Sequence, residues 1–252
     1  WLTGFSGSAG CAVVLTKVSA LFVDGRYVEQ AKTQVDTGVF VVRQVPNERI
    51  STFIAAAAKS GARIGFDARL FTVDEVANLA KALQSHSIEL IAVDANLVDA
   101  VWTDRPPPPI GEVSLQPIEF TGRGADEKIA ELKSTLKAAG EDAVVLTQPD
   151  SIAWLLNIRG SDLPHTPFAL AFAIVGVDGK PRLFIDARKL ADAAVRKAVE
   201  KLARIEPPDA LATALDALGR ARSKVRIDPA TAAEWMRARV ADAGAEVSRA
   251  AD

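Results

Sequence analysis

The apolar positions of the chain follow two kinds of spacing along its first hundred residues. Short runs rich in β-branched residues, "CAVVLT", "ALFVDG" and "FVVRQV", are separated by turn-forming residues and predict β-strands. The segments "RISTFIAAAAKSG" and "TVDEVANLAKALQS" predict helices, the second opening with Thr72 and Glu75 at capping-box spacing. Strands that mix hairpins with crossover helices predict an α/β domain with a mixed sheet.

The second half of the chain repeats this pattern. Three pairs of segments occur in the same order in both halves: "WLTGFSGS" (1–8) with "WLLNIRGS" (154–161), "LFVDGR" (21–26) with "LFIDAR" (183–188), and "RIGFDA" (63–68) with "VRIDPA" (225–230). The first pair is offset by 153 positions and the second by 162. We therefore expect two copies of one structural unit.

The two copies differ in two places. The change of offset places an insertion in the second copy at "SDLPHTPFA". The second copy is also preceded by a predicted helix, "GADEKIAELKSTLKAAG" (124–140), and a predicted strand, "AVVLT" (143–147). Since the first copy has no counterpart of either before Trp1, we expect it to lack roughly thirty residues that would form its first helix and strand.

Length and proline content predict the domain organisation. The 252 residues exceed the usual size of a single core, so we expect two domains, residues 1–104 and 124–252. The stretch 105–123 between them is predicted to be a linker, because prolines 106–109 fix φ and lack a backbone donor, which makes the segment extended and stiff. A polyproline ligand for another protein is the less favoured interpretation.

Composition excludes several classes of partner. A net charge of −2 with evenly scattered charges gives no basic surface for nucleic acid. The longest apolar stretch, residues 168–177, is far shorter than the ~20 residues that cross a bilayer, so we expect no membrane partner. Cys11 is the only cysteine, which excludes an internal disulfide and favours a reducing, cytoplasmic location. Because the chain begins with Trp1 instead of Met, we expect it to be a fragment.

Most catalytic motifs are incomplete in this sequence. Neither Ser6 nor Ser8 has glycine on both sides at the spacing of a nucleophile elbow. The segment "GRGADE" (122–127) lacks the third glycine of a dinucleotide loop. The chain contains two histidines, His86 and His165, too few for the ligand set of a hydrolytic metal site. We therefore predict no catalytic residue and no metal ligand within these 252 residues.

One candidate functional segment is "NIRGSDLPHTP" (157–167). It places Arg159, Asp162 and His165 close together, with prolines on both sides of the histidine. One interpretation is a rigid loop in which Arg159 pairs with Asp162 and a neutral His165 bonds to the backbone. The other is a loop that faces a ligand or a neighbouring domain, since rigid polar loops often carry function. The residues leave both open.

A second candidate is the "DGRY" turn, which follows a predicted strand. Arg26 places a guanidinium, a bidentate ligand for a carboxylate or carbonyl, at the carboxyl end of the sheet. The alternative is a salt bridge to Asp24 or Glu29, and composition alone favours that alternative.

Several segments together carry a family resemblance: "WLTGFSGSAG", "FVDGRYVEQA", "NLVDAVWTDRPPPP", "DSIAWLLNIRGSDLPHTP" and "LFID". The chain resembles the first two domains of the long, cytosolic-type Xaa-Pro aminopeptidases (aminopeptidase P) of the creatinase and prolidase superfamily. The resemblance covers nearly the whole chain; Ser6 stands where an Asp is common in relatives. It implies an α/β fold of two tandem creatinase N-terminal-type domains, each a mixed sheet flanked by helices and ribonuclease H-like, with the catalytic pita-bread domain absent.

The resemblance also implies a function for the parent protein. Enzymes of this family release the N-terminal residue from peptides with proline in second position, using two divalent metals, expected to be manganese, in a third domain that would follow Asp252. It implies that Arg26 reaches toward the substrate, and that the loop with Arg159, Asp162 and His165 faces the catalytic domain or the peptide entrance. The fragment alone is expected to be inactive, and its domains to shape substrate access and assist oligomerisation.

The partners implied by the resemblance are short peptides with proline in second position, the protein's own C-terminal catalytic domain and a second copy in a homodimer. Two alternatives remain. The chain could be a protein-binding module of the superfamily without catalysis, or part of a prolidase-type or creatinase-type enzyme. Fold alone does not separate these possibilities.

Overall fold

The computed structural model describes all 252 residues, and the chain divides into two compact units. Unit 1 comprises residues 1–71 and 75–106, and unit 2 comprises residues 72–74 and 107–252. Each unit combines strands and helices, so the predicted α/β class is confirmed.

Unit 1 contains five strands in two sheets. In the first sheet β1 (Gly10–Val14) is antiparallel to β2 (Ser19–Asp24), and β2 is parallel to β3 (Phe40–Val45). In the second sheet β4 (Arg63–Phe66) is parallel to β5 (Glu89–Ala92). All three strands predicted from β-branched runs are confirmed.

The helices of unit 1 connect these strands. They are α1 (Val28–Gln34), which follows a 3-10 turn at Gly25–Tyr27, α2 (Ile50–Ala57), α3 (Val73–Gln84, whose first two residues group with unit 2) and α4 (Leu97–Val101). The two helices predicted from apolar spacing correspond to α2 and α3 and are confirmed. Along β2 the side chains alternate, with Ala20 and Phe22 in one apolar cluster and Leu21 and Val23 in the other.

Unit 2 is built on one six-stranded sheet. Its strands are β7 (Ala143–Leu146), β9 (Phe172–Gly176), β10 (Arg182–Phe184), β11 (Arg204–Glu206), β12 (Lys224–Ile227) and β13 (Glu246–Arg249). Their spatial order is β11-β10-β9-β7-β12-β13, so β7 lies at the centre, antiparallel to β9 and parallel to β12. All four residues of β7 are buried, as expected of a strand covered on both faces.

Helices cover both faces of this sheet. They are α6 (Ala125–Ala138), α7 (Pro149–Leu156), α8 (Ala193–Leu202), α9 (Ala210–Arg220) and α10 (Glu234–Asp242). The helices α6, α7 and α8 contribute to the apolar cluster on one face, and α9 and α10 to the cluster on the other. None of the helices in the chain is long and apolar enough to span a membrane.

The stretch predicted to be a linker contains regular structure of its own. Residues 105–112 have none, but β6 (Val113–Leu115) pairs antiparallel with β8 (Ile158–Gly160), and α5 (Ile118–Thr121) follows. Unit 1 ends at Pro106, and the main part of unit 2 begins at Pro107.

The duplication read from the sequence is confirmed in the topology. The set β9, β10, β11 has the strand directions of β1, β2, β3, and the parallel pair β12, β13 corresponds to β4, β5. The first residues of the two strands in each parallel pair form an ion pair at equivalent positions, Arg63 with Glu89 in unit 1 and Lys224 with Glu246 in unit 2.

Candidate functional site

The first candidate is the turn that follows β2 in unit 1. Asp24 Oδ1 accepts hydrogen bonds from the backbone N–H and from Nε of Arg26, both at 2.9 Å. The guanidinium also lies 5.4 Å from the centre of the Tyr27 ring, and 73% of the Arg26 side chain is exposed. The hydrogen bond from Arg26 holds the pKa of Asp24 below its ordinary value. The predicted alternative, a salt bridge to Asp24, therefore forms, while Glu29 pairs with Lys32.

Unit 2 repeats this turn at the end of β10. Asp186 accepts from the backbone N–H of Arg188 at 2.9 Å, and the guanidinium of Arg188 lies against both carboxylate oxygens. The hydrogen bond from Arg188 lowers the pKa of Asp186 to about 2. The Asp-x-Arg turn is thus a feature of the repeat, so its geometry alone does not assign Arg26 to a substrate.

The second candidate is the loop of residues 157–170 in unit 2, which connects α7 through β8 to β9. Its base is held by Asp162, whose side chain is completely buried. The carboxylate accepts from the backbone N–H groups of Gly111 (2.8 Å) and Leu170 (2.6 Å) and from Lys189 Nζ (2.6 Å). Burial opposes ionisation, but these hydrogen bonds outweigh it and keep the pKa of Asp162 below its ordinary value.

The ion pair considered from the sequence, Arg159 with Asp162, does not form. Arg159 instead donates to the carbonyl of Ile158 at 2.8 Å and lies opposite Ser114 in the β6–β8 ladder. The carboxylate of Asp162 instead binds Lys189, 27 residues later in the chain, together with two backbone N–H groups. Arg159 is half-buried, with no carboxylate partner among the ion pairs of the structure.

His165 lies at the tip of the loop and is exposed. The backbone N–H of Thr166 donates to the carbonyl of Leu163 at 3.2 Å, and His165 has φ of +60°, which with Pro164 before it is the pattern of a type II turn. The imidazole is therefore presented to solvent by a rigid backbone instead of bonding within the loop base.

Two glycines allow close backbone contacts, one within the loop and one between the loop and the segment before β6. A Cβ at Gly160 would collide with the backbone of Ala169, and one at Gly111 with the backbone of Ser161. Gly160 also donates from its N–H to the carbonyl of Pro167 at 3.1 Å. The glycine of "RGSD" is thus required by packing within the loop.

Lys128 of α6 holds the start of the loop. Lys128 is 2% exposed. Its ammonium donates to the carbonyl of Trp154 (2.8 Å) and to Oδ1 of Asn157 (2.7 Å). Helix α7 ends at these residues, and Asn157 has a φ of +51°. The ammonium also lies 4.3 Å from the centre of the Trp154 ring. Burial, with repulsion from Arg123 and Arg159, lowers the pKa of Lys128.

Sequence reasoning missed both lysines. Lys189 stands three residues after Asp186, and Tyr27 holds the same position after Asp24 in unit 1. The Tyr27 hydroxyl lies 2.7 Å from Oγ of Ser8. Lys128 precedes Leu132 by four residues and so lies on the apolar face of α6, a position where a lysine is unusual. Each lysine is thus a visible exception in the sequence: Lys189 to the repeat, and Lys128 to the apolar spacing of its helix.

The structure places the predicted residues at two sites, each within one unit. Arg159, Asp162 and His165 share the loop of unit 2, and Arg26 lies in the turn of unit 1. No group of three or more His, Cys, Asp or Glu side chains is arranged to hold a metal ion. The loop and the helix before it each expose a large apolar side chain, Leu163 at 43% and Trp154 at 54%.

Comparison with known proteins gives the family. Residues 1–101 and residues 104–252 each match the profile of the creatinase/prolidase N-terminal domain. A protein of Arthroderma gypseum named probable Xaa-Pro aminopeptidase P is 36% identical over 228 residues, which is 88% of this chain and 35% of that protein. A protein of Arabidopsis thaliana named aminopeptidase P2 is 34% identical over 237 residues, 92% of this chain and 33% of that protein.

A solved structure is similar over both units. It is an X-prolyl aminopeptidase of Caenorhabditis elegans, described as a cytosolic enzyme with a di-nuclear active site, with a TM-score of 0.89 and 31% identity. The similarity covers 99% of this chain and 42% of that one. The chain thus spans about a third of the length of the curated relatives it matches.

Proposed function

The chain belongs to the creatinase/prolidase N-terminal domain family, and we propose that it forms the two non-catalytic N-terminal domains of a metal-dependent Xaa-Pro aminopeptidase. The parent enzyme would release the N-terminal residue from short peptides with proline in second position. The observation that carries the proposal is the C. elegans X-prolyl aminopeptidase, which matches 99% of this chain with a TM-score of 0.89. Relatives at 36% and 34% identity are also named as enzymes of this kind.

In this proposal the reacting groups belong to a C-terminal catalytic domain, which is the principal partner of these units. Two divalent metals there, expected to be manganese, would activate a water molecule and stabilise the oxyanion. The di-nuclear site of the C. elegans enzyme supports the metal count. The cytosolic description of that enzyme supports a cytoplasmic location, and the homodimer expected from the family stays a prediction.

The loop of unit 2 would shape access to the catalytic domain. Its base is fixed by the buried contacts of Asp162 with Lys189 and two backbone N–H groups. Its tip offers the exposed imidazole of His165, and its first strand offers Arg159, which has no carboxylate partner. We assign Asp162 the task of positioning the loop, while His165 and Arg159 contact the peptide or the catalytic domain.

Arg26 would bind the peptide from unit 1. Its guanidinium is 73% exposed and only one edge, Nε and Nη2, is turned toward Asp24. The outer N–H groups therefore remain available to a peptide carbonyl or carboxylate. The contact with Asp24 would hold the guanidinium in one orientation, which reduces the entropy lost when a peptide binds.

The experiment is a substrate comparison with the full polypeptide in manganese-containing buffer. We expect cleavage of an Xaa-Pro-Xaa tripeptide and little cleavage of an Xaa-Pro dipeptide or of creatine. Preference for the dipeptide would indicate a prolidase, and preference for creatine a creatinase. Failure to cleave all three, with the metals bound, would favour a binding module.

A further inference from the structure

The two Asp-x-Arg turns hold their arginines differently. In unit 2 the guanidinium of Arg188 contacts Asp186 at two points, from Nε at 3.0 Å and from Nη2 at 2.5 Å. In unit 1 Nε of Arg26 lies 2.9 Å from Asp24, but Nη2 lies 3.5 Å away, at the limit of a hydrogen bond. Both arginine side chains are exposed to a similar degree, 73% and 68%. The carboxylate thus fixes Arg188 at two points and Arg26 firmly at only one.

A second restraint on Arg26 comes from Tyr27. Cζ of Arg26 lies over the Tyr27 ring, 5.4 Å from its centre, which is within the range of a cation–π contact. The ring contacts the face of the guanidinium, whereas Asp24 accepts in its plane, so the two contacts do not compete. In unit 2 the position of Tyr27 is held by Lys189, whose ammonium binds Asp162. The turn of unit 1 therefore has an aromatic support that its repeat lacks.

The Tyr27 ring is itself fixed by several contacts. Its hydroxyl lies 2.7 Å from Oγ of Ser8. The ring of Phe5 meets it edge to face, with centres 5.8 Å apart and planes at 79°. Tyr27 also packs against an apolar cluster that includes Leu21 and Val23 of β2. Arg26 thus lies on a ring that has little freedom to move.

We propose that Tyr27 is a positioning residue, which holds the guanidinium of Arg26 with its outer edge free for the peptide. The proposal rests on the proposed function, in which Arg26 binds the peptide. Because Asp24 accepts strongly from Nε alone, the N–H groups of Nη1 and the outer N–H of Nη2 are available to a carbonyl or carboxylate. The ring restricts rotation of the guanidinium, which reduces the entropy lost when a peptide binds.

The test is a double-mutant cycle in the full polypeptide, read as kcat/KM for an Xaa-Pro-Xaa tripeptide in manganese-containing buffer. Tyr27→Leu is expected to lower kcat/KM about threefold or more when Arg26 is present. In the Arg26→Ala background it should lower kcat/KM by less than about 1.5-fold, because the ring then has no guanidinium to hold. Tyr27→Phe, which keeps the ring, should lower it by less than about twofold. Equal effects of Tyr27→Leu in the two backgrounds would overturn the proposal, since they would show a role in packing alone.

Phe53→Leu is the matched control for the loss of an aromatic ring. Phe53 is half-buried in unit 1, meets Phe22 edge to face at 5.6 Å and has the guanidinium of Arg43 at 6.0 Å from its centre. It belongs to the other apolar cluster of unit 1 and not to the turn. Phe53→Leu should therefore lower kcat/KM by less than about 1.5-fold. A loss equal to that of Tyr27→Leu would contradict the proposal.

A second readout does not depend on peptidase activity. Phenylglyoxal reacts with the terminal nitrogens of arginine, and mass spectrometry of the full polypeptide gives its rate at Arg26 and at Arg188. Tyr27→Leu is expected to raise the rate at Arg26 about threefold or more, because the guanidinium loses its support, and to leave the rate at Arg188 unchanged. Equal rates at Arg26 with and without the ring would overturn the role of Tyr27. Failure of the unaltered polypeptide to cleave the tripeptide would instead overturn the proposed function, so the two failures are distinguishable.

Discussion

Lys189 Nζ lies 2.6 Å from Asp162 Oδ2, and both side chains are almost completely removed from solvent. The lysine follows the Asp-x-Arg turn after β10, and the aspartate lies at the base of the 157–170 loop. In unit 1, Tyr27 stands at the position of Lys189 and contacts Ser8, which aligns with Ser161 beside Asp162, through two hydroxyl groups. The repeat thus keeps a contact between turn and loop and changes its chemistry from a neutral hydrogen bond to an ion pair.

Removing one member of this pair should destabilise unit 2. Lys189→Met leaves the buried carboxylate of Asp162 without its counter-ion, which typically costs about 3–5 kcal/mol. Urea unfolding of the 252-residue chain, followed by a probe in unit 2, measures the loss. Lys224→Met is the control, since its pair with Glu246 is exposed, and it should change the free energy of unfolding by less than about 1 kcal/mol. Equal losses would contradict the assigned role.

The lowered pKa of Asp162 predicts an acid dependence of stability. Because the folded pKa lies below the unfolded value of about 3.9, the unfolded state binds more protons in this range. The stabilisation is therefore complete above the unfolded pKa and is lost as pH falls through the folded pKa. Asp162→Asn should flatten the acid side of the stability curve measured by urea unfolding. Asp178→Asn, at an exposed position, should leave the slope unchanged.

Lys128 predicts a dependence of stability on pH in the alkaline range, again with stability rising as pH rises. Its folded pKa is lowered by burial, so between that pKa and the unfolded value of about 10.4 the unfolded state binds more protons. The free energy of unfolding of unit 2 should therefore include a contribution that rises with pH across this window, and the Lys128→Met variant should lack this contribution. The comparison is urea unfolding from neutral to alkaline pH, with the exposed Lys137→Met as control. A slope unchanged by Lys128→Met would refute the prediction.

The two Asp-x-Arg turns provide a matched test of Arg26. Arg26→Ala and Arg188→Ala each remove an exposed guanidinium from the same turn geometry. In the full enzyme we expect Arg26→Ala to lower kcat/KM for an Xaa-Pro-Xaa tripeptide about tenfold or more. Arg188→Ala should lower it less than twofold, and neither should shift Tm by more than about 2 °C. Equal kinetics for both variants, or a large loss of stability in Arg26→Ala, would show that Arg26 has only a structural role.

His165 tests the function of the loop tip. The imidazole is exposed and its turn is set by the backbone, so His165→Asn should preserve Tm while lowering kcat/KM of the full enzyme severalfold. His86→Asn, a change in the turn after α3, is the control and should leave kinetics unchanged. Normal kinetics with His165→Asn would show that the loop tip does not contact the peptide.

The sequence predicted the repeat well and the contacts within it poorly. Strands such as "CAVVLT" and "FVVRQV" are specified locally, by β-branched residues and neighbouring turns, and so were found. One of the two interpretations of the loop paired Asp162 with Arg159, which is near in sequence, whereas Lys189 reaches Asp162 only through the fold. Likewise β6 lies in the stretch predicted as a linker, since a three-residue strand paired only with β8 leaves little periodic signal.

The central claim is that these two units serve peptide cleavage carried out by another part of the polypeptide. Its most direct measurement is hydrolysis of an Xaa-Pro-Xaa tripeptide in manganese-containing buffer, by the full polypeptide and by the purified 252-residue chain side by side. The account predicts turnover by the full polypeptide and none above background by the 252-residue chain. Metal-dependent turnover by the 252-residue chain alone would contradict it.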